Sequence, residues 1–203
     1  MPRGALAIEN TVENVEKQLR QLVRETLTAD DFRGVYRTAK MAHTGQTRRG
    51  GEPYFTHPSE VRNIVARYYP SDRVAQMAAL LHDTLEDAPG NTVRDVAEME
   101  GFIRGSIADP AVGGEVLRTV RLLTHSPGGD YATYVAELTG KTTALRVKLA
   151  DMLHNLQTGP TDRQRAKYGT AIARLAPDST SPPAGIAPAH WQALRSLVDP
   201  ENA

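Results

Sequence analysis

The stretch from Ala78 to Asp87 constrains the fold more than any other part of the chain. It contains good helix formers and no Gly or Pro before Pro89, so it is predicted to be helical. At about 100° per residue, Leu81 and Leu85 lie on one side and the polar side chains lie on the other. These polar side chains are His82, Asp83, Glu86 and Asp87. One side of this helix must therefore pack on a core, while the other gathers an imidazole and three carboxylates.

This acidic side has no basic partner on its own helix. No Lys or Arg lies between Arg73 and Arg94, and like charges at helical spacing repel each other. The adjacent pair His82 and Asp83 offers one neutral nitrogen and one hard oxygen, a common mixed set for a divalent cation. The alternative is a solvated helix surface, which is what most clusters of charge are. These ten residues by themselves leave both interpretations open.

The absence of cysteine limits the chemistry that the chain can perform. The chain has no cysteine, and its 203 residues are enough for one domain with a substantial hydrophobic core. Disulfides, thiolate metal sites and cysteine nucleophiles are excluded, so a metal must be bound by His, Asp or Glu. Lys plus Arg equal Asp plus Glu at 24 each. Net charge therefore gives no reason to expect nucleic acid or an anionic membrane as partner.

The N-terminus has no apolar run typical of a signal peptide. Nowhere does the chain contain the run of about 18 apolar residues that a membrane-spanning helix needs. We therefore expect a soluble cytoplasmic protein without a membrane partner.

Apolar residues recur at helical spacing along the chain, and neither an alternating strand pattern nor an internal repeat is found. The predicted class is therefore all-α. Ser71 is predicted to cap the helix that carries His82, and Thr161 the helix that follows residue 160. Further short helices are expected after Asp130 and around Trp191. The longer predicted helices cover residues 9–27, 28–44, 59–69, 110–125, 142–156 and 161–175.

Two residues outside the acidic helix are candidates for the same site. His57 is followed by Pro58, which fixes the backbone directly before a helix. Asp151 lies in an otherwise apolar helical stretch, and a lone buried aspartate needs a charge partner or a metal. The alternative for Asp151 is a salt bridge to Lys148, one turn earlier. His154 is interpreted as structural, as a lone histidine more often is.

Together, four of these side chains would give a divalent ion two nitrogens and two carboxylates. An octahedral ion would then keep positions for water and for a substrate oxygen. Mn²⁺ suits this mixture, and Fe²⁺, Co²⁺ or Zn²⁺ are possible. The four candidate ligands are His57, His82, Asp83 and Asp151.

Four motifs in this order carry a family resemblance. They resemble the HD-type hydrolase domain of the RelA/SpoT alarmone enzymes, and the single-domain small alarmone hydrolases, which include the animal SpoT homologues, are closest in form. The resemblance covers about residues 30 to 175 and implies an HD-domain helical bundle over 28–176. Residues 1–27 then form an N-terminal amphipathic helix, and residues 177–203 form a Pro-rich loop and a short C-terminal helix. The motifs are His43–Gln46, Gly51–Pro58, Leu80–Asp87 and Val147–Asn155.

The resemblance also implies roles for individual residues. The metal ligands of the family fall on the four candidates above, and its catalytic acid pair falls on Glu86 and Asp87. Its basic pair, which contacts guanine and phosphate, falls on Arg48 and Arg49, for which an ordinary solvated loop is the alternative. Asn155 matches an asparagine that contacts the nucleoside, and Tyr168 a tyrosine at the edge of the site.

The activity implied by the resemblance is a Mn²⁺-dependent removal of the 3′-pyrophosphate of (p)ppGpp, which releases GDP or GTP and pyrophosphate. Met152 stands where the family usually has Arg or Lys, so two alternatives stay open. One is an HD phosphohydrolase of another nucleotide, such as (p)ppApp or a nucleotide phosphate ester. The other is a non-catalytic module that binds an alarmone or acts as an antitoxin-like partner. The oligomeric state is open.

Overall fold

The computed structural model of the chain describes residues 29–125, 128–176 and 181–198. Within these ranges the regular elements are all helices, which confirms the all-α class and the single helical bundle. The predicted N-terminal helix over residues 9–27 lies outside the described residues, and the division into three segments stays a prediction. The helices are α1 (Ala29–Ala42), α2 (Thr56–Tyr68), α3 (Arg73–Leu81), α4 (Thr84–Asp87), α5 (Val96–Gly105), α6 (Pro110–Leu123), α7 (Tyr131–Glu137), α8 (Thr142–Gln157), α9 (Asp162–Leu175) and α10 (Pro188–Val198).

Helix α8 lies at the centre of the bundle, where it packs against α2, α3, α6, α9 and α10. Its residues Leu145, Leu149 and Leu153 are buried and share one core with Met77 and Leu81 of α3. Burying each of these side chains stabilises the fold by about 1.5–3 kcal/mol. The polar residues of α8 are therefore carried on an element that the core fixes in place.

The helix that carries His82 is not continuous, contrary to the prediction from its sequence. Helix α3 ends at Leu81 and α4 begins at Thr84, with His82 and Asp83 at the junction. The His82 Nδ1 atom bonds the Ala79 carbonyl at 2.8 Å, and Thr84 Oγ1 donates to the Leu81 carbonyl at 2.7 Å. These side chains bond carbonyl oxygens that backbone amides would otherwise use, so the series of helical backbone hydrogen bonds is interrupted at His82 and Asp83.

The cap of α3 is Asp72, and the prediction of Ser71 is wrong. Asp72 Oδ1 accepts a hydrogen bond from the Ala75 amide at 2.9 Å. Its other oxygen, Oδ2, accepts from Arg146 Nη1 of α8 at 2.7 Å. A carboxylate can make both bonds, whereas a serine hydroxyl has one oxygen. Asp72 thus starts α3 and joins it to α8.

Two other predicted helix starts are confirmed. Thr161 and Gln164 form a capping box at α9, and Asp130 caps α7 by accepting from the Thr133 amide. The closing helix α10 buries Trp191 and Leu194 against the core. None of the described helices has the length and apolar character needed to cross a membrane.

A buried histidine on α10 gives the fold a testable pH dependence. His190 is fully buried, its Nδ1 atom lies 2.9 Å from the Tyr69 hydroxyl, and its ring stacks on Tyr68 with centroids 4.7 Å apart. Tyr69 Oη accepts from the Ala187 amide, so its own proton is free to go to His190. Burial lowers the pKa of His190 from 6.5 to about 4.

We expect the protein to lose stability as the pH falls from 6.5 towards 4, because the unfolded chain binds the proton that folded His190 excludes. From these two pKa values, the His190 contribution falls by about 2 kcal/mol between pH 7 and pH 5. Urea unfolding of the wild type and of His190→Gln at both pH values measures this change in the free energy of unfolding. Between pH 7 and pH 5 the free energy of unfolding of the variant should fall by about 2 kcal/mol less than that of the wild type. Equal losses in the two proteins would contradict the assignment.

Candidate metal centre

The four predicted metal ligands come from three separate parts of the chain. His57 lies in the first turn of α2, where Pro58 follows it, His82 and Asp83 form the junction between α3 and α4, and Asp151 lies in the middle of α8. His57, His82 and Asp151 are buried, and Asp83 is half-buried. The bundle brings all four side chains to one place.

The ligand atoms of these four residues face each other. His57 Nε2 lies 3.6 Å from Asp83 Oδ2 and 3.2 Å from Asp151 Oδ1. His82 Nε2 lies 3.1 Å and 3.8 Å from the same two oxygens. Ligand atoms about 2.1 Å from one ion lie roughly 3.0–3.4 Å apart. The tightest set is His57, His82 and Asp83, whose atoms all lie within 4.8 Å of one another, and Asp151 joins it through the two histidines.

The orientation of His82 fits a metal ion. Its Nδ1 atom bonds the Ala79 carbonyl and therefore carries a proton. Its Nε2 atom is buried and has no hydrogen-bond partner, although Asp83 is close. A buried polar atom without a partner is costly. An ion between His82 and Asp83 would satisfy that nitrogen.

The centre places two carboxylates together, and they perturb the pKa of the groups around them. Burial raises the pKa of Asp83 and of Asp151, but His82 holds the first below its usual range and Lys148 holds the second below it. Burial lowers the pKa of His82, but the carboxylates Asp83 and Asp151 outweigh it and raise that pKa to about 9. The pair of buried carboxylates thus attracts positive charge, either a proton on His82 or a cation.

The two oxygens of Asp151 have different surroundings. Lys148 Nζ donates to Asp151 Oδ2 at 2.8 Å, which is the salt bridge given as the alternative to a metal. The other oxygen, Oδ1, faces the two histidines and also accepts from Asn155 Nδ2 at 2.6 Å. The salt bridge therefore leaves one carboxylate oxygen directed at the metal centre.

The loop before α2 carries Arg48 to the centre. It closes through Arg48 N bonded to the Glu52 carbonyl and Tyr54 N bonded to the Gln46 carbonyl, both at 2.9 Å. The tight turn between Arg48 and Glu52 requires Gly51 at φ +87°, a conformation that a residue with a Cβ rarely adopts. Tyr54, at the end of the loop, donates from its hydroxyl to Asp83 Oδ2 at 2.8 Å.

Two of the predicted substrate contacts lie together at the rim of the centre. Arg48 Nη2 donates to Asn155 Oδ1 at 3.1 Å and to Thr158 Oγ1 at 3.4 Å, and Nη1 lies 3.3 Å from His154 Nδ1. Arg48 is therefore a bound part of the site and not an ordinary solvated loop residue. Arg49, one position later, is exposed.

Tyr168 lies in a cationic-aromatic cluster beside Asp151, formed with Tyr131, Tyr134, Lys148 and Lys167. Lys167 Nζ lies 4.1 Å from the Tyr131 ring centroid and 4.9 Å from that of Tyr168. Lys148 Nζ lies 5.5 Å from the Tyr131 centroid and 5.6 Å from that of Tyr134. The hydroxyl of Tyr131 is buried without a hydrogen-bond partner. This cluster brings two cations, Lys148 and Lys167, near Asp151.

The predicted acid pair lies on α4 and occupies two different environments. Glu86 is exposed, and its Oε1 atom accepts from the His125 amide at 2.6 Å. Asp87 is half-buried, 3.6 Å from His43 Nδ1. Burial, together with the charges of Asp83 and Glu86, raises the pKa of Asp87 to about 6. Asp87 is thus suited to carry a proton near neutral pH, while Glu86 is a solvated carboxylate.

His154 lies against the centre, which its sequence context does not indicate. Its Nδ1 atom lies 2.7 Å from His57 Nδ1, and both rings are buried. Burial, with His57 and Arg48 nearby, lowers the pKa of His154 to about 4. The available signal was its spacing, because a residue three positions after Asp151 lies on the same face of a helix.

Comparison with known proteins gives a consistent set of relatives. No protein-family model matches the chain. The chain is 33% identical over 147 residues to the bifunctional (p)ppGpp synthase/hydrolase SpoT of Escherichia coli K12, which covers 70% of the chain and 20% of that relative. It is 34% identical over 145 residues to a probable GTP pyrophosphokinase of Mycobacterium leprae, covering 70% of the chain and 18% of that protein.

A third relative, the guanosine-3′,5′-bis(diphosphate) 3′-pyrophosphohydrolase of Haemophilus influenzae, is 36% identical over 122 residues, which is 59% of the chain and 17% of that relative. The chain spans about a fifth of the length of the curated relatives it matches. The names of these relatives include both hydrolases and pyrophosphokinases.

If the four residues bind a metal ion, Asp83→Asn should weaken Mn²⁺ binding by at least about 10-fold. The substitution removes the negative charge of one ligand and changes the electrostatic environment of the neighbouring ligand His82. Calorimetric titration of the metal-free protein with MnCl₂ measures this. Glu60→Gln removes an acid from the exposed side of α2 and is the matched control, expected to bind as the wild type does. Equal affinities of Asp83→Asn and Glu60→Gln would refute the centre.

Proposed function

Because the chain belongs to the RelA/SpoT family, we propose that it is a metal-dependent hydrolase that removes the 3′-pyrophosphate of (p)ppGpp. The products are GDP or GTP and pyrophosphate. The names of the relatives include both hydrolysis and pyrophosphate transfer, so the preference for hydrolysis rests on the geometry of the candidate metal centre. The observation that carries it is the convergence of two imidazole nitrogens and two carboxylates at one place inside the bundle.

We propose Mn²⁺ as the ion, since a mixed set of nitrogen and oxygen ligands suits it, with other divalent transition metals as possible substitutes. His57, His82, Asp83 and Asp151 would hold it. When bound, such an ion polarises a phosphate oxygen and makes water a nucleophile at neutral pH. The hydroxyl of Tyr54 orients the Asp83 carboxylate by donating to Oδ2.

Hydrolysis requires one bond to form, one to break and two proton transfers. The oxygen of a water molecule bonds to the phosphorus carried by the 3′ oxygen, and the bond between that phosphorus and the 3′ oxygen breaks. The water gives up a proton to a base, and the 3′ oxygen receives a proton from an acid. Two carboxylates with different protonation states are needed for this division.

Glu86 and Asp87 fit these two roles. Glu86 is exposed, and its Oε1 atom is used by the His125 amide, so Oε2 is available to accept a proton from water. Asp87, with its pKa raised to about 6 mainly by burial, keeps a proton for the leaving 3′ oxygen over part of the neutral range. We therefore assign the base to Glu86 and the acid to Asp87.

The substrate would be held by the cations around the centre. Arg48, in the loop before α2, and Lys167, in the cationic-aromatic cluster, would offset the charge of the phosphates. Asn155 would contact the nucleoside, Tyr168 would lie at the edge of the site, and Arg49 extends from the loop into solvent, where it can meet a phosphate or a base.

The test of this proposal is incubation of the purified protein with ppGpp and Mn²⁺, followed by chromatographic detection of GDP and pyrophosphate. Glu86→Gln and Asp87→Asn should each lower the rate about 100-fold or more, because each removes one of the two proton transfers. Both should bind Mn²⁺ as the wild type does. Glu60→Gln, an exposed acid of α2, serves as the control.

Intact ppGpp after long incubation of the Mn²⁺-loaded wild type would contradict the proposed substrate. A nucleotide panel would then separate turnover of another phosphorylated nucleotide from binding without turnover. Full hydrolysis by Glu86→Gln would contradict the assignment of the base and leave the metal centre unaffected.

A further inference from the structure

The contact between His57 and His154 requires that the two rings differ in protonation at Nδ1. Their Nδ1 atoms lie 2.7 Å apart and both side chains are buried. Two ring nitrogens at this distance form a hydrogen bond only if one carries a proton and the other offers its lone pair. The position of the proton decides whether His57 Nε2, which faces the two carboxylates, has a lone pair free for a metal ion.

Arg48 decides where the proton lies. A guanidinium group donates hydrogen bonds, accepts none and keeps its charge at all relevant pH values. Arg48 Nη1 lies 3.3 Å from His154 Nδ1, so its positive charge opposes a proton on that nitrogen. His154 Nδ1 is therefore the acceptor, with a short bond from His57 and a longer contact from Arg48. The proton of the pair is on His57 Nδ1.

This tautomer directs the lone pair of His57 towards the carboxylates. Neutral histidine binds a metal through the nitrogen without a proton, which here is Nε2. That atom lies 3.2 Å from Asp151 Oδ1 and 3.6 Å from Asp83 Oδ2. The ring of His82 is oriented by a different contact, in which its Nδ1 atom donates to the Ala79 carbonyl.

Arg48 is itself fixed by α8. It donates to Asn155 Oδ1 at 3.1 Å and to Thr158 Oγ1 at 3.4 Å. Asn155 in turn donates to Asp151 Oδ1 at 2.6 Å. One guanidinium thus supports the centre along two paths, through His154 to His57 and through Asn155 to Asp151.

We propose that Arg48 and His154 are positioning residues of the metal centre, which hold His57 in the tautomer that presents Nε2 to a divalent cation. The inference rests on the metal centre of the proposed function and requires no particular substrate. It gives Arg48 a role in the substrate-free protein, in addition to the substrate contact that the family resemblance implies.

Because Arg48 is positively charged, the Mn²⁺ affinity of an Arg48 variant distinguishes a positioning role from a simple effect of charge. A cation close to a metal site repels the ion, so removal of charge alone would strengthen Mn²⁺ binding. A positioning role predicts the opposite, a loss of about 10-fold, which is the size typical for groups that orient a metal-bound histidine. Arg48→Gln and Arg49→Gln remove the same charge from adjacent positions of one loop, and Arg49→Gln is therefore the matched control for Mn²⁺ affinity.

His154 is tested by a pair of substitutions. His154→Asn places an amide oxygen close to the position of Nδ1 and can still accept from His57, whereas His154→Leu cannot accept. Calorimetric titration with Mn²⁺ should show about a 10-fold loss for His154→Leu and a smaller loss for His154→Asn. Long-range ¹H–¹⁵N spectra of the metal-free proteins report the tautomer directly. His57 should carry its proton on Nδ1 in the wild type and in His154→Asn, and lose that preference in His154→Leu.

The absence of a proton from Nδ1 of His57 in the wild type would overturn the proposal. So would Mn²⁺ affinities of Arg48→Gln that equal or exceed those of Arg49→Gln. Neither measurement uses a nucleotide, so a failure of the hydrolase proposal with ppGpp would appear separately from a failure of this one.

Discussion

The buried carboxylate of Asp151 is the constraint on which the rest of the site depends. A charge inside a helical core is costly unless every lone pair that it exposes has a partner. Lys148 and Asn155 supply partners from the same helix, and the loop residue Arg48 orients Asn155. One oxygen remains directed at two histidines. The central helix α8 therefore carries both buried core side chains and one carboxylate of the centre.

The interrupted helix supplies the second half of the centre. His82 and Asp83 lie where α3 ends and α4 begins, because side chains at this junction take the carbonyls of the preceding turn. The break presents adjacent ligands with different orientations, one ring fixed by a backbone carbonyl and one carboxylate fixed by Tyr54. The acids of α4 then follow within one turn, close enough for their charges to act on each other.

Much of this arrangement could be predicted from the sequence because the signals are local. Helical spacing of apolar residues predicts α8, and an aspartate among them indicates a polar site. The break at His82 depends on side-chain bonds to particular carbonyls, which helical spacing does not reveal, and the sequence does not distinguish Ser71 from Asp72 because both residue types cap helices. The contact of His154 with the site is hidden for a different reason: its partner Arg48 is 106 positions away along the chain. Contacts of this kind depend on the packing of α2 and its loop against α8, which no local pattern contains.

The central claim is that His57, His82, Asp83 and Asp151 hold one divalent ion. A crystal of the protein soaked in MnCl₂, with diffraction data collected to record the anomalous signal of manganese, tests it most directly. The account predicts one strong anomalous peak in contact with Nε2 of both histidines and with Asp83 and Asp151. Manganese bound elsewhere, with these four side chains in contact only with each other, would contradict it.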